Sequence, residues 1–265
     1  MSWGSAWRLA VGTVTILPVR PPAVIARTVA GRAMVLAPLA VLPLGVVAAG
    51  LGWMAARTAL PDPLPGLAVV SVLALGTRAL HLDGLADTVD GFGSGQGRDQ
   101  ALEIMRRGDI GPMGVTALIV VLGAQVMAAS TLTGTWFEAV LLAVLIIASR
   151  ASLLIACRTG VPAARRNGLG SAVAGTVPTP VVSVAVLVSA LVVVAAVSLA
   201  GRPWWLGVVA TLASAVIAYG VVHRATHRLG GITGDVLGAV VELTLTALLL
   251  VTAASTGAVA AFPGH

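Results

Sequence analysis

Lysine is absent from this 265-residue chain, and acid is scarce: sixteen arginines face ten Asp and Glu residues. Charged residues make up 10% of the sequence and hydrophobic residues 58%. Soluble domains carry about 25% charged residues, so a soluble globular domain is excluded and an integral membrane protein is expected. The lone cysteine, Cys157, excludes an intrachain disulfide. There is no P-loop, no Gly-x-Ser-x-Gly elbow and no Cys/His metal cluster. The alternation of a membrane β-barrel is missing, and no internal repeat or low-complexity tail stands out. No cleavable signal peptide is evident, because the early apolar stretch is broken at Pro18.

What is present is a series of apolar runs. A spanning helix needs about 20 such residues. Residues 33–56, 64–80, 114–131, 139–157, 177–200, 203–222 and 236–254 qualify or nearly so. The fold class expected is an all-α bundle of about seven transmembrane helices, with residues 1–265 forming one polytopic membrane domain. Pro38 and Pro43 are expected to kink the first span. The second is short and is expected to continue as a helix through the acidic residues that follow it. Residues 1–32 read as an interfacial lead-in, with Arg20, Arg27 and Arg32 facing lipid phosphates.

Arginine distribution orients the chain. With a cytoplasmic N-terminus and seven spans, only Arg57 and Arg202 fall outside, while twelve arginines, Arg8 to Arg228, fall inside. That is a positive-inside bias. It explains the net charge of +6 without nucleic acid as a partner. It places Phe262-Pro263-Gly264-His265 outside. Every substantial polar segment (81–113, 158–176 and 223–235) then lies on the cytoplasmic face, where the active face is expected.

The acids are grouped. Asp83, Asp87 and Asp90 follow one another at steps of four and three, so a helix presents them within an arc of about 60°. Three neighbouring carboxylates repel one another unless a cation sits between them. Hard oxygen ligands suit Mg²⁺ or Mn²⁺, and Mg²⁺ commonly joins a few carboxylates to substrate phosphates. Intramembrane or membrane-flanking acids are costly, which favours a site over ordinary surface charge. A second constellation, Gly230-Gly231-Ile232-Thr233-Gly234-Asp235, runs into the last span and on to Glu242. A Gly-rich turn leading into a helix N-terminus suits phosphate. Asp235 and Glu242 share a face; Asp235 reads as a metal ligand or a helix cap, and Glu242 as a supporting group about two turns deeper.

Arginine forks suit phosphate oxygens. Arg106 and Arg107 follow an amphipathic piece whose Ala101, Leu102 and Met105 are expected to dock on the bundle. Arg165 and Arg166 lie in a Gly-rich loop. Arg150 and Arg78 sit near the inner ends of spans, where each either meets substrate phosphate or, for Arg78, snorkels to lipid. His81 and Thr233 complete the set of candidate substrate-binding groups. His223 and His227 are four apart, but Arg224 and Arg228 interleave and repel a cation, so they read as polar loop or phosphate contacts.

His81-Leu82-Asp83-Gly84-Leu85-Ala86-Asp87-Thr88-Val89-Asp90-Gly91 resembles the signature of the adenosylcobinamide-GDP ribazoletransferase (cobalamin synthase) family. Gly231-Ile232-Thr233-Gly234-Asp235-Val236-Leu237-Gly238-Ala239 resembles its second signature, and Glu103-Ile104-Met105 through Ile110-Gly111-Pro112-Met113-Gly114-Val115 a third. The resemblance covers nearly the whole chain. It implies that the ribose 3′-hydroxyl of α-ribazole, or of its 5′-phosphate, attacks the cobinamide-side phosphorus of adenosylcobinamide-GDP, and that GMP leaves. It implies Mg²⁺ as cofactor, and a multi-pass protein of a bacterial cell membrane. Asp83, Asp87, Asp90 and Asp235 are the expected metal ligands, with Asp87, Asp90 and Asp235 the candidates for catalysis. The family segment Met-Lys-Asp-Ser-Arg-Ile-Gly is here Met105-Arg106-Arg107-Gly108-Asp109-Ile110-Gly111, with acid and base exchanged. The first signature is also distantly similar to the CDP-alcohol phosphotransferase motif. Two other readings therefore stay open: a phosphotransferase that releases CMP, and a cation or metabolite transporter. Oligomeric state is left open.

Overall fold

The structure is a computed structural model that describes residues 3–22 and 24–254; the expected outward placement of residues 262–265 lies outside the described residues. The helices in chain order are α1 (Trp3–Val14), α2 (Arg27–Ala40), α3 (Leu42–Ala55), α4 (Leu64–Gly76), α5 (Leu80–Gly93), α6 (Arg98–Ile104), α7 (Pro112–Ser130), α8 (Trp136–Ser149), α9 (Ser152–Ala156), α10 (Leu169–Val173), α11 (Thr179–Leu199), α12 (Trp204–Leu229) and α13 (Gly234–Ala253). Among the described residues there are no strands, only two isolated bridges, Arg158 with Val177 and Ala163 with Ile232.

Six segments are long and apolar enough to cross a membrane: Arg27–Ala55, Pro112–Ser130, Trp136–Ala156, Thr179–Leu199, Trp204–Leu229 and Gly234–Ala253. The pair α4 and α5 makes a seventh if counted as one bent unit. The all-α membrane fold expected from composition is therefore what forms. The first span breaks at Val41, between Pro38 inside α2 and Pro43 in the first turn of α3. Each proline lacks the N–H that would continue the helical ladder.

The expected continuous helix through the aspartates does not form. The chain turns by 89° between α4 and α5. Arg78 and Ala79 adopt left-handed backbone angles, φ 56° and 54°, which non-glycine residues seldom take. The lead-in supports the break. The N–H of Ile16 donates to the freed Gly76 carbonyl at 2.6 Å, and an Arg78 guanidinium N–H donates to the Gly12 carbonyl at 3.3 Å. The lead-in is thus part of the bundle as well as a flank. Ala6, Ala10, Val11 and Val14 are its buried face, and α1 packs on α2. Arg27, expected at lipid phosphates, instead donates to the carbonyls of Ser171 and Ala174 at 3.3 and 2.7 Å. Arg32 lies over the Trp3 ring, 4.9 Å from its centroid.

α13 is the central element. It packs against α5, α7, α8, α9 and α12, and its Val240, Val241, Leu245, Leu248 and Leu249 are buried. A helix apolar on all sides belongs inside a bundle. Truncating a core side chain such as Leu245, 1% exposed, to alanine costs about 2–5 kcal/mol. Opposite the polar segments, Glu138 caps α8 through a capping box with Thr135. Its Oε1 also accepts from Arg202 at 2.7 Å. Arg202 in turn donates to the carbonyls of Thr252 and Thr131, at 2.7 and 3.2 Å. One guanidinium therefore ties together helix ends of α7, α8, α11 and α13.

Candidate active site at the bend before α5

The two signature segments meet backbone to backbone. A Cβ built on Gly84 would stand 2.6 Å from the Asp235 carbonyl oxygen and 3.0 Å from its Cα. One built on Gly238 would stand 2.9 Å from the His81 carbonyl oxygen and 3.2 Å from the Gly84 Cα. Real Cβ atoms do not sit so close to backbone, so only glycine lets α5 cross α13 at this distance. The crossing puts Asp83 and Asp235 at the same level although they are far apart in sequence.

Both line one cavity of about 290 Å³, together with His81, Arg165, Thr233 and Asn167. Thr233 is the N-cap of α13: its hydroxyl oxygen accepts from the Val236 N–H at 3.2 Å and lies 3.1 Å from an Asp235 carboxylate oxygen, to which it donates. Asp235 is therefore not itself the cap, but occupies the first turn, where the helix dipole favours negative charge. Arg165 stands 3.8 Å from the Asp235 carboxylate and donates to the Leu102 carbonyl at 2.7 Å. The second contact fixes the guanidinium between α6 and α13.

The three motif aspartates are not equivalent. Asp83 is exposed, Asp87 half-buried and Asp90 buried. Asp87 is within electrostatic reach of Asp83, Asp235, Asp90 and Arg165, which places it among the converging charges. Asp90 is turned the other way. One of its oxygens accepts from the Gly111 N–H at 2.7 Å and the other from the Gly114 N–H at 2.9 Å. These are free N–H groups of the first turn of α7, a place that suits a carboxylate. Asp90 thus anchors the third signature to the first.

The expected arginines divide. Arg165 reaches the cavity; Arg78, Arg106, Arg107, Arg150 and Arg166 do not line it. Arg106 pairs with Glu103 at 3.6 Å on the surface, and Arg107 and Arg166 are exposed. Arg78 is held at the bend by Gly12. Arg150, expected at the membrane boundary beside phosphate, is 1% exposed. It donates to the Ser149 hydroxyl at 2.8 Å and the Ile146 carbonyl at 3.1 Å. Its charge is felt by Glu242 and by His81. The interruption between α8 and α9 turns this side chain inward, onto the Ser149 hydroxyl and the Ile146 carbonyl. Glu242 also accepts from Gln125 at 2.8 Å, and Gln125 donates to Thr246 at 3.1 Å. Glu242 does not line the cavity; it lies about two turns further along α13 than Asp235.

Sequence reasoning did not single out Thr13, Asn167 or Ser171, which also line the cavity. Asn167 carries a faint signal as the one polar amide between Arg166 and Gly168 in a Gly-rich loop. Thr13 carries none, since only the folding of α1 onto the bend brings it there. Arg98 holds the loop in place, donating to the carbonyls of Leu229 and Ala164 at 2.7 and 3.1 Å.

Among the described residues, no three His, Cys, Asp or Glu side chains are arranged to close on one metal ion. The donor chemistry nevertheless fits Mg²⁺. Asp83 and Asp235 flank one cavity with Asp87 nearby, and Mg²⁺ usually takes one or two carboxylates and completes its shell with water and substrate phosphate.

The chain matches the family model described as cobalamin-5-phosphate synthase over residues 6–253. It is 43% identical to an adenosylcobinamide-GDP ribazoletransferase of Nocardioides sp., over 94% of this chain and 98% of that protein. It is 41% identical to the protein of that name from Frankia casuarinae, covering 93% of each chain. A Bradyrhizobium diazoefficiens relative with the same name is 37% identical over 93% of this chain and 92% of its own. No solved structure matches the chain.

Proposed function

We propose, for a chain that belongs to the cobalamin-5-phosphate synthase family, the transfer of an adenosylcobinamide phosphate unit from adenosylcobinamide-GDP to the ribose 3′-hydroxyl of α-ribazole or its 5′-phosphate. The names of its relatives support the substrates. The observation that carries the reading is the crossing of α5 and α13, which sets Asp83, Asp235, Arg165 and Thr233 around one cavity.

In this reading the acceptor oxygen attacks the phosphorus on the cobinamide side of the diphosphate. A new P–O bond forms, the P–O bond to the bridging oxygen breaks, and GMP departs with that electron pair. Bound Mg²⁺, held by Asp83 and Asp235, would neutralise the diphosphate and the leaving phosphate. Arg165, 3.8 Å from the Asp235 carboxylate, binds a phosphate oxygen beside it, its fork kept in place by the Leu102 carbonyl. Thr233 and the first turn of α13 orient Asp235 and offer N–H groups to anionic oxygen. Asp87, half-buried and one helical turn from Asp83, takes the hydroxyl proton. Asp90 positions α7 and is not itself a ligand. The protein sits in a bacterial cell membrane with this cavity opening to the cytoplasm, as the arginine distribution supports.

The test is a detergent-solubilised assay with adenosylcobinamide-GDP, α-ribazole and Mg²⁺, following GMP and the corrin product together. Equal release of both, abolished by EDTA and restored by Mg²⁺, is expected. Release of CMP from a CDP-alcohol in place of that reaction would assign the chain to the other phosphotransferase chemistry.

A further inference from the structure

α12 carries a second constellation, which shares no residue with the cavity lining. Its first two residues, Trp204 and Trp205, are 63% and 50% exposed, as tryptophans at a membrane–water interface are. At about 1.5 Å per residue, about 30 Å of hydrocarbon is crossed in about 20 residues. The opposite interface therefore falls close to Arg224. The outward face of the helix changes character there. Leu212, Val216 and Tyr219 are exposed and apolar or amphipathic, and the same face continues at helical spacing into His223 and His227.

These side chains are in mutual contact. The Tyr219 and His223 rings stack at 6.4 Å, and His223 meets His227 edge-on at 4.3 Å. The Arg158 guanidinium lies 4.7 Å from the Tyr219 ring centroid. His223, Arg224, His227 and Arg228 line a shallow depression with no carboxylate in its wall. Between α11 and α12 runs an apolar groove of about 450 Å³, whose lining includes Val182, Val186, Leu212 and Ala215. Ala215 is one turn from Tyr219, so the groove leads towards the basic cluster.

We propose that this groove and cluster hold one anionic phospholipid. An acyl chain lies between α11 and α12, and the headgroup phosphate sits among Arg158, His223, His227 and Arg228. A zwitterionic headgroup would bring its own ammonium against this cationic wall; an anionic one would not. Tyr219 closes the space between chain and phosphate, apolar on its ring and polar at its hydroxyl.

The full-length protein in detergent is titrated with phosphatidylglycerol or phosphatidylcholine of identical acyl chains, and retained lipid is read by native mass spectrometry. One phosphatidylglycerol should be retained at a concentration at least about tenfold below phosphatidylcholine, since each interfacial arginine contributes about fivefold. Arg158→Gln/Arg228→Gln should erase that preference, and His223→Ala should reduce it if the double variant does not fold. Ala215→Trp, which fills the groove, should lower retention of both lipids. Equal retention of the two lipids by the wild type overturns the proposal, as does an unchanged preference in a folded Arg158→Gln/Arg228→Gln or His223→Ala protein. Full displacement of phosphatidylglycerol by millimolar inorganic phosphate would make this a free-phosphate site and overturn it too.

Discussion

Asp90 holds Gly111: the Asp90 carboxylate accepts its N–H at 2.7 Å, and its second oxygen accepts the N–H of Gly114 at 2.9 Å. The aspartate motif on α5 thereby fastens the start of α7, and the third aspartate of the motif differs in kind from the first.

Asp90→Asn should lower stability as well as activity. The amide keeps one acceptor and turns an N–H against a backbone donor, at a cost of about 1–3 kcal/mol. Asp83→Asn should leave thermal unfolding in detergent unchanged while nearly abolishing turnover. Equal stability of the two variants would contradict the anchoring role.

Asp235→Ala should cost far more activity than Glu242→Gln. Asp235 lines the cavity beside Arg165, whereas Glu242 does not line it and accepts from Gln125. Turnover at saturating substrate and Mg²⁺ checks this. A Glu242→Gln protein as inactive as Asp235→Ala would move the reacting centre deeper into the bundle.

Arg202→Ala should destabilise the protein with little change in turnover per folded molecule. Its side chain is 6% exposed and its partner Glu138 16%. Removing one member of a buried pair costs about 3–5 kcal/mol. Thermal unfolding followed by circular dichroism, paired with the transfer assay, separates the two effects.

A cysteine at Gly95 should react with a membrane-impermeant thiol reagent from the cytoplasmic side only, and one at Gly134 from the outside only. Cys157 is buried, so each introduced thiol reports alone. Reversed labelling would overturn the inward-facing cavity.

The amino-acid sequence by itself determined the lipid solvent, most of the spanning helices and the family. Runs such as 177–200 and 236–254 are too apolar for water. Scarce acid made Asp83, Asp87, Asp90 and Asp235 conspicuous, and Gly84 and Gly238 sat beside them. Hydropathy and spacing act over a few turns, so they are readable from a single strand of sequence. The tertiary structure decided what depends on residues distant along the chain. The 89° turn at Arg78 and Ala79 carries no proline to announce it. It exists because Ile16 satisfies the carbonyl that the break frees. Arg150 looked like Arg165 in sequence, an arginine at a span's inner end. Arg150 is buried on the Ser149 hydroxyl and the Ile146 carbonyl, away from the cavity lining, while Arg165 lines the cavity with its guanidinium on the Leu102 carbonyl. A guanidinium is fixed by the acceptors that surround it, and only packing decides which acceptors those are.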